Sequence, residues 1–205
     1  ASASGRLVIC FNGEIYNYRE LRRELAAAGV AFRSHSDTEV ILAAVETWGL
    51  EPALRRFVGM FAFALWDAAD RSVCLVRDRV GVKPLYFGSD GRQWAFASEL
   101  KALRHYAWLD RRPDPVALSL YLRYGYIPAP HSVYRGVRKV PAGAWLRIRL
   151  DDGAVTEHRY WDLVEVARHG QAEPFRGSPE EAVAELEHLL DDSIRLRMVA
   201  DVPVG

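Results

Sequence analysis

Apolar residues in the first third of the chain switch between two spacings. Residues 6–11 (RLVICF) are a short β-branched run that predicts a strand, and Asn12-Gly13 directly after it reads as a tight turn, because both residues tolerate positive φ. Asn17 precedes YRELRRELAAAG with Glu20 three residues on, a capping-box pattern. Leu21 and Leu25 lie one turn apart, and Gly29 is placed to end that helix. Ser36, Asp37 and Glu39 open a second helix carrying Val40, Ile41, Ala44 and Val45 at helical spacing, with Gly49 as its stop. A short helical stretch follows over residues 52–57.

The pattern then changes to β-type runs. Residues 60–67 (MFAFALWD) and 72–78 (SVCLVRD) predict a hairpin through AADR, and residues 84–88 and 94–98 predict another around SDGRQ. Ser98 opens the small helix ELKALR, and Asp114 caps PVALSLYLRYG. Residues 144–150 and 155–160 flank Asp151-Asp152-Gly153, the clearest turn signal in the chain. Residues 164–177 are polar and punctuated by Gly170, Pro174 and Gly177, which reads as a linker. Ser178-Pro179-Glu180-Glu181 starts a long amphipathic helix to about Met198, with Val183, Leu186, Leu190 and Ile194 on one face. Consecutive antiparallel hairpins flanked by helices predict an α+β fold in which helices cover the sheets.

Composition narrows the function classes. The 27 Lys+Arg balance the 27 Asp+Glu, so neither a nucleic-acid surface nor an acidic-membrane surface is expected. Apolar stretches break within ten residues, too short for a bilayer span, and the opening ASASGR has no signal-peptide core, so a cytoplasmic setting is expected. Cys10 and Cys74 lie in predicted strands and read as two buried thiols. The six histidines show no ligand spacing, and no metal site or cofactor is expected in this stretch. No G-x-G-x-x-G follows a strand, which removes a dinucleotide fold.

Three clusters could carry chemistry. Asn12-Gly13 places an amide side chain beside a backbone N–H, a pair suited to an oxyanion, and equally a turn dipeptide. Asp37 at a helix start could receive an ammonium group, and equally it or Ser36 could cap the helix. Residues 77–86 (RDRVGVKPLY) pack charge, glycine and proline into one loop, either lining a ligand site or making an ion-paired, sharply turned connection.

Five blocks in order, FNGEIYNY (11–18), SDTEVIL (36–42), GMFAFALWD (59–67), LVRDRVGVKPLYF (75–87) and FASELKAL (96–103), resemble the glutaminase domain of glutamine-dependent asparagine synthetases. SIRLRMVADVPVG (193–205) is similar to the segment that leads into their ATP-binding domain. The resemblance implies a four-layer αββα sandwich of the N-terminal-nucleophile hydrolase type. It implies a class II amidotransferase in which an N-terminal cysteine attacks the glutamine amide, its own α-amine serving as base. It places the oxyanion hole at the Asn12 side chain and the Gly13 N–H, the glutamine site along Asn12, Gly13 and Glu14, and the partner of the substrate's α-ammonium at Asp37. It implies residues 1–163 as glutaminase domain, 164–177 as linker and 178–205 as the opening of the synthetase domain. That further domain would use ATP and Mg2+ to activate aspartate, which the released ammonia converts to asparagine, and a homodimer fits the same reading.

Two departures accompany the resemblance. The family begins Cys-Gly-Ile, whereas this chain begins Ala1-Ser2-Ala3, and the arginine-containing segment that holds the substrate carboxylate is absent. Cys10 lies within a strand with its amine in a peptide bond and cannot replace the nucleophile. The chain is therefore expected to be an internal stretch of a longer enzyme, without glutaminase activity by itself. Three rival readings share the domain. They are amidotransferases that make glucosamine-6-phosphate or phosphoribosylamine, relatives of the β-lactam-synthetase type acting on another acceptor, and a non-catalytic scaffold module. Asp201-Val202-Pro203 favours the asparagine-synthetase type over the first, and the intact Asn-Gly-Glu with Asp37 speaks against a decayed pocket.

Overall fold

The computed structural model describes residues 1–198; the DVPVG segment at 201–205 lies outside the described residues. Strand β1 (Leu7–Ile15) is followed by helices α1 (Tyr18–Ala27), α2 (Asp37–Trp48) and α3 (Leu50–Arg56). Next come β2 (Gly59–Asp67), β3 (Ser72–Arg77), β4 (Tyr86–Ser89), β5 (Trp94–Ala97), α4 (Leu100–Leu103), α5 (Pro115–Tyr124) and β6 (Val137–Lys139). The described chain closes with β7 (Ala144–Arg149), β8 (Val155–Arg159), α6 (Leu163–Ala172) and α7 (Pro179–Arg197). Two antiparallel sheets form, one in the order β1-β2-β3-β7-β8 and one in the order β5-β4-β6.

The layers follow from strand alternation. Along β2, Phe61, Phe63 and Leu65 enter a core with Leu21, Leu25, Ile41 and Leu54 of the three N-terminal helices. Ala62 and Ala64, one residue out of phase, enter a second core with Leu75, Leu85, Leu146 and Ile148, against which Phe87 and Trp94 of the small sheet pack. A third core sets Ala95 and Val137 against Leu103 and Leu109. Helices, large sheet, small sheet and a helical outer layer make the αββα sandwich. Because β2 is covered on both faces, it reads as a continuous apolar run rather than an alternating one.

Local capping worked as expected at three helices. Ser36 accepts from the Thr38 N–H, Asp114 from the Val116 N–H, and Ser178 forms the full capping box with Glu181. Asn17 does not cap α1 with its side chain. Its Nδ2 donates to the Arg56 carbonyl and its Oδ1 accepts from the Val58 N–H, each at 3.0 Å, so it clamps the end of β1 to the α3–β2 junction. Asn12-Gly13 is not a turn: β1 continues through both to Ile15.

The stretch at 164–177, expected to be linker, is helical up to Ala172. Asp162 caps α6 by accepting from the Val164 and Glu165 N–H groups. Its polar composition concealed it, because neither α6 nor α7 has a buried residue. Short ion pairs such as Arg168–Glu165 accompany the capping there instead of a packed apolar face.

The charged loop after β3 is organised on backbone groups. Arg77 donates to three carbonyls, those of Lys83, Val140 and Gly81, at 2.8–2.9 Å. The buried Asp78 carboxylate accepts from the N–H groups of Phe61, Val82 and Lys83 at 3.2, 2.8 and 2.9 Å. The loop is thus a sharply turned connection that ties β2, β3 and the β6–β7 junction together.

Candidate functional site

β1 is an edge strand, and the hydrogen-bonding phase of its ladder decides which backbone groups are open. The Tyr16 N–H donates to the Val58 carbonyl at 2.8 Å, and the Ala68 N–H to the Arg6 carbonyl at 3.0 Å. Even-numbered residues of β1 therefore turn their backbone polar groups toward β2, and odd-numbered ones turn them to the free edge. Leu7 and Ile15 obey this rule: their N–H groups donate to Ser2 Oγ at 3.1 Å and to Asp37 Oδ2 at 3.0 Å. Gly13 belongs to the odd set, so its N–H lies on the free edge. Two residues along, at a strand spacing of about 6.8 Å, is the Ile15 amide that holds the Asp37 carboxylate.

The side chain of Asn12 leaves β1 on the other axis, toward the small sheet. Its Nδ2 donates to Ser98 Oγ at 2.9 Å. Asn12 lines a cavity of about 100 Å³ between the two sheets with Cys10, Leu85, Phe96 and Ser98. Gly13, Glu14 and Asp37 do not line that cavity; they follow the strand edge at its side. The residues expected from the sequence are thus gathered along one end of β1, with Asn12 facing the inter-sheet cavity and the other groups arrayed along the rim.

Gly13 is required here by geometry. Its φ is +144°, and a Cβ at this position would lie 2.1 Å from the Met60 carbonyl oxygen and 2.6 Å from Phe61 Cα, both backbone atoms. Asp37 is the first residue of α2 rather than its cap, since Ser36 takes that role. Its carboxylate sits at the helix N-terminus, where negative charge is favoured.

Ser98 is the residue that sequence reasoning assigned elsewhere. Instead of capping α4, whose cap is Glu99, it orients the Asn12 amide across 86 positions of sequence. Such a separation carries no local signal. Tyr16, 7% exposed, completes this end of the strand. Burial holds its hydroxyl above the ordinary value, while Arg197 of α7, 5.2 Å from the ring centroid, opposes that shift.

The two thiols differ, against the expectation that both are buried. Cys10 is exposed on the inter-sheet side of β1, and Cys74 is buried with its thiol pushed up to about 11 by desolvation. A disulfide reagent at pH 8 should therefore titrate one thiol rapidly in the native protein and two after denaturation. Two rapid equivalents in the native state would contradict this assignment.

A family model described as the glutamine amidotransferase domain matches residues 1–161. A putative glutamine-hydrolyzing asparagine synthetase of Mycobacterium tuberculosis is 40% identical over 207 residues, covering 99% of this chain and 31% of the relative. Glutamine-hydrolyzing asparagine synthetase 1 of Bacillus subtilis is 39% identical over 197 residues, covering 96% and 30%. The chain therefore spans about a third of the length of these relatives. Among solved structures, the glutamine phosphoribosylpyrophosphate amidotransferase of B. subtilis shares the fold, with a TM-score of 0.54 and 22% identity over 78% of this chain and 30% of its own.

Proposed function

Since the chain belongs to the glutamine amidotransferase domain family, we propose that it is the glutaminase portion of an asparagine synthetase. The observation that carries the site assignment is the phase of the β1 ladder. It sets the Gly13 N–H and the Asp37 carboxylate on one free edge, with the Asn12 amide adjacent. A glutamine laid along that edge would place its α-ammonium at Asp37 and its side-chain amide toward Asn12 and Gly13, with Glu14 beside the path. The attacking group would come from an N-terminal cysteine on a segment outside this chain. As the tetrahedral intermediate forms, the amide oxygen gains negative charge, and two donors already in place stabilise it without reorganisation. Ser98 holds one of the two Asn12 Nδ2 hydrogens and leaves the other for the oxyanion.

The acceptor reading rests on the relatives, which are named for asparagine synthesis. On that reading residues 1–163 form the glutaminase domain, residues 178–205 open the synthetase domain, and residues 164–177 connect them. A further domain would bind aspartate, ATP and Mg2+. No group of three metal-capable side chains occurs among the described residues of this chain. No helix among the described residues is long and apolar enough to cross a membrane, and a cytoplasmic homodimer completes the proposal.

With neither the nucleophile nor its free α-amine, the 205-residue protein should release ammonia from glutamine only at background rate. Adding the Cys-Gly-Ile segment in the parent protein should bring hydrolysis and amide transfer into aspartate. Turnover by the 205-residue chain that is lost on Cys10→Ala would overturn this assignment of the nucleophile.

A further inference from the structure

At the edge of the sandwich opposite β1, the two sheets part into a cleft of about 700 Å³ between β8 and the small sheet. Four strand spacings, about 19 Å, separate it from the candidate glutamine edge. The registers give its lining. Glu157 pairs with Leu146 and Arg159 with Ala144, so both share the inter-sheet face of the large sheet. Arg138 pairs with Phe87 and enters from the small sheet. Phe87 and Trp94 stack at 6.4 Å and 20° to form an aromatic surface within it.

The charges in this cleft do not cancel. Arg159 is neutralised by Asp162 at 2.9 Å and lies 3.9 Å from Glu157. The Arg138 side chain has no hydrogen bond, ion pair or ring contact among the described residues; only its backbone is engaged, in the ladder with Phe87. Arg135 donates only its Nε, to the Pro113 carbonyl at 3.2 Å, while the nearby Asp110 is already held by both arms of Arg112 at 2.9 and 2.7 Å. Lys139 has its Nζ committed to the Ile127 carbonyl. Arg138, with its guanidinium unpaired, and Arg135, whose charge is shared only at longer range with the Asp110 carboxylate that Arg112 already holds, thus line a nucleotide-sized cleft beside a stacked aromatic pair. Glu157, too far from Arg159 for a hydrogen bond, keeps acceptor capacity for amino or hydroxyl groups.

We propose that the β6–β8 cleft, through Arg135, Arg138, Phe87, Trp94 and Glu157, binds a nucleoside monophosphate. The Arg138 guanidinium and the terminal nitrogens of Arg135 together suit one phosphomonoester dianion, because guanidinium forks match its oxygens. The aromatic pair offers a face for a flat base, and pockets of this volume accommodate ligands of that size. A triphosphate would bring more negative charge than the cleft can offset. The site is separate from the glutamine edge and stands whether or not the glutaminase reading holds.

Calorimetric titration of the 205-residue protein with AMP, adenosine and inorganic phosphate tests it. AMP should bind saturably, with adenosine and phosphate each at least about tenfold weaker, because each keeps only half of the contacts. Arg138→Glu, at an exposed position, should weaken AMP by about tenfold or more with an unchanged melting curve. Arg138→Lys should fall between it and the parent, and Trp94→Phe should retain binding through the remaining stack. Absence of saturable AMP binding at millimolar concentration, or affinity unaltered by Arg138→Glu, would overturn the site. Phosphate binding as tightly as AMP would overturn its assignment to a nucleotide.

Discussion

Asn12→Ala in the parent protein should lower kcat for glutamine hydrolysis by about 10²–10³-fold, with KM little changed. In the proposed oxyanion role the Asn12 amide would donate to charge that exists mainly in the transition state, so its removal would be felt in the chemical step and barely in substrate binding. Asp37→Ala should fail differently. Its carboxylate would hold the α-ammonium in ground and transition states alike, and the loss should appear chiefly in KM. Ser98→Ala should resemble a weak Asn12 variant, because the Asn12 amide keeps its place on β1 and loses only its orienting partner. Amide synthesis from free ammonium should survive all three changes, since on the proposed reading that half-reaction would be carried by a further domain. Steady-state constants for hydrolysis and for ammonium-dependent synthesis, measured separately, check this. Loss of ammonium-dependent synthesis in folded Asn12→Ala would remove the oxyanion role from the Asn-Gly-Glu strand.

Asp78→Ala should be the most destabilising single change in the loop after β3. The carboxylate is 1% exposed and satisfies three backbone donors, those of Phe61, Val82 and Lys83. Orphaning buried donors costs about 1–3 kcal/mol each, so a loss of roughly 3–5 kcal/mol is expected, or about 10 °C in Tm for a chain of this size. Asp78→Asn keeps one acceptor oxygen and should lie between the two. Thermal and denaturant melts measure the difference. A loss below about 1 kcal/mol for the alanine variant would mean that the loop re-satisfies those donors with water, and that the hub is not rigid. Leu85, at the far end of this loop, lines the cavity beside Asn12, so loosening the hub should also blur the site.

How much of the site was legible in advance depends on sequence distance. Asn12, Gly13, Glu14 and Asp37 could be named through the family resemblance of two short blocks, since their local chemistry alone left a turn and a helix cap open. The geometry that relates them could not be named, since Asn12-Gly13 reads as a turn dipeptide and yet lies within β1. Pairing with β2 overrides that signal: continuing the ladder through Met60 and Gly59 satisfies more backbone groups than a turn would. Asn17 was misplaced for a related reason. Its capping pattern is real in the sequence, but two unpaired backbone groups at the α3–β2 junction compete for the same side chain and win.

The sequence by itself determined the elements whose signals are local: the helix starts at Ser36, Asp114 and Ser178, the Asp151–Gly153 turn, and the β2–β3 hairpin. Each depends on groups within four residues or on adjacent β-type runs, so no distant partner is needed to specify it. Only the tertiary structure decided the function-bearing arrangement. Which backbone edge of β1 stays open, which of two strand cysteines is buried, that Ser98 meets Asn12, and that Arg138 and Arg159 face each other across a cleft all depend on strand order and register. Alternation along a strand specifies two faces and two hydrogen-bonding sides, but only the strands and helices that pack against it assign them to core, neighbour, solvent or substrate.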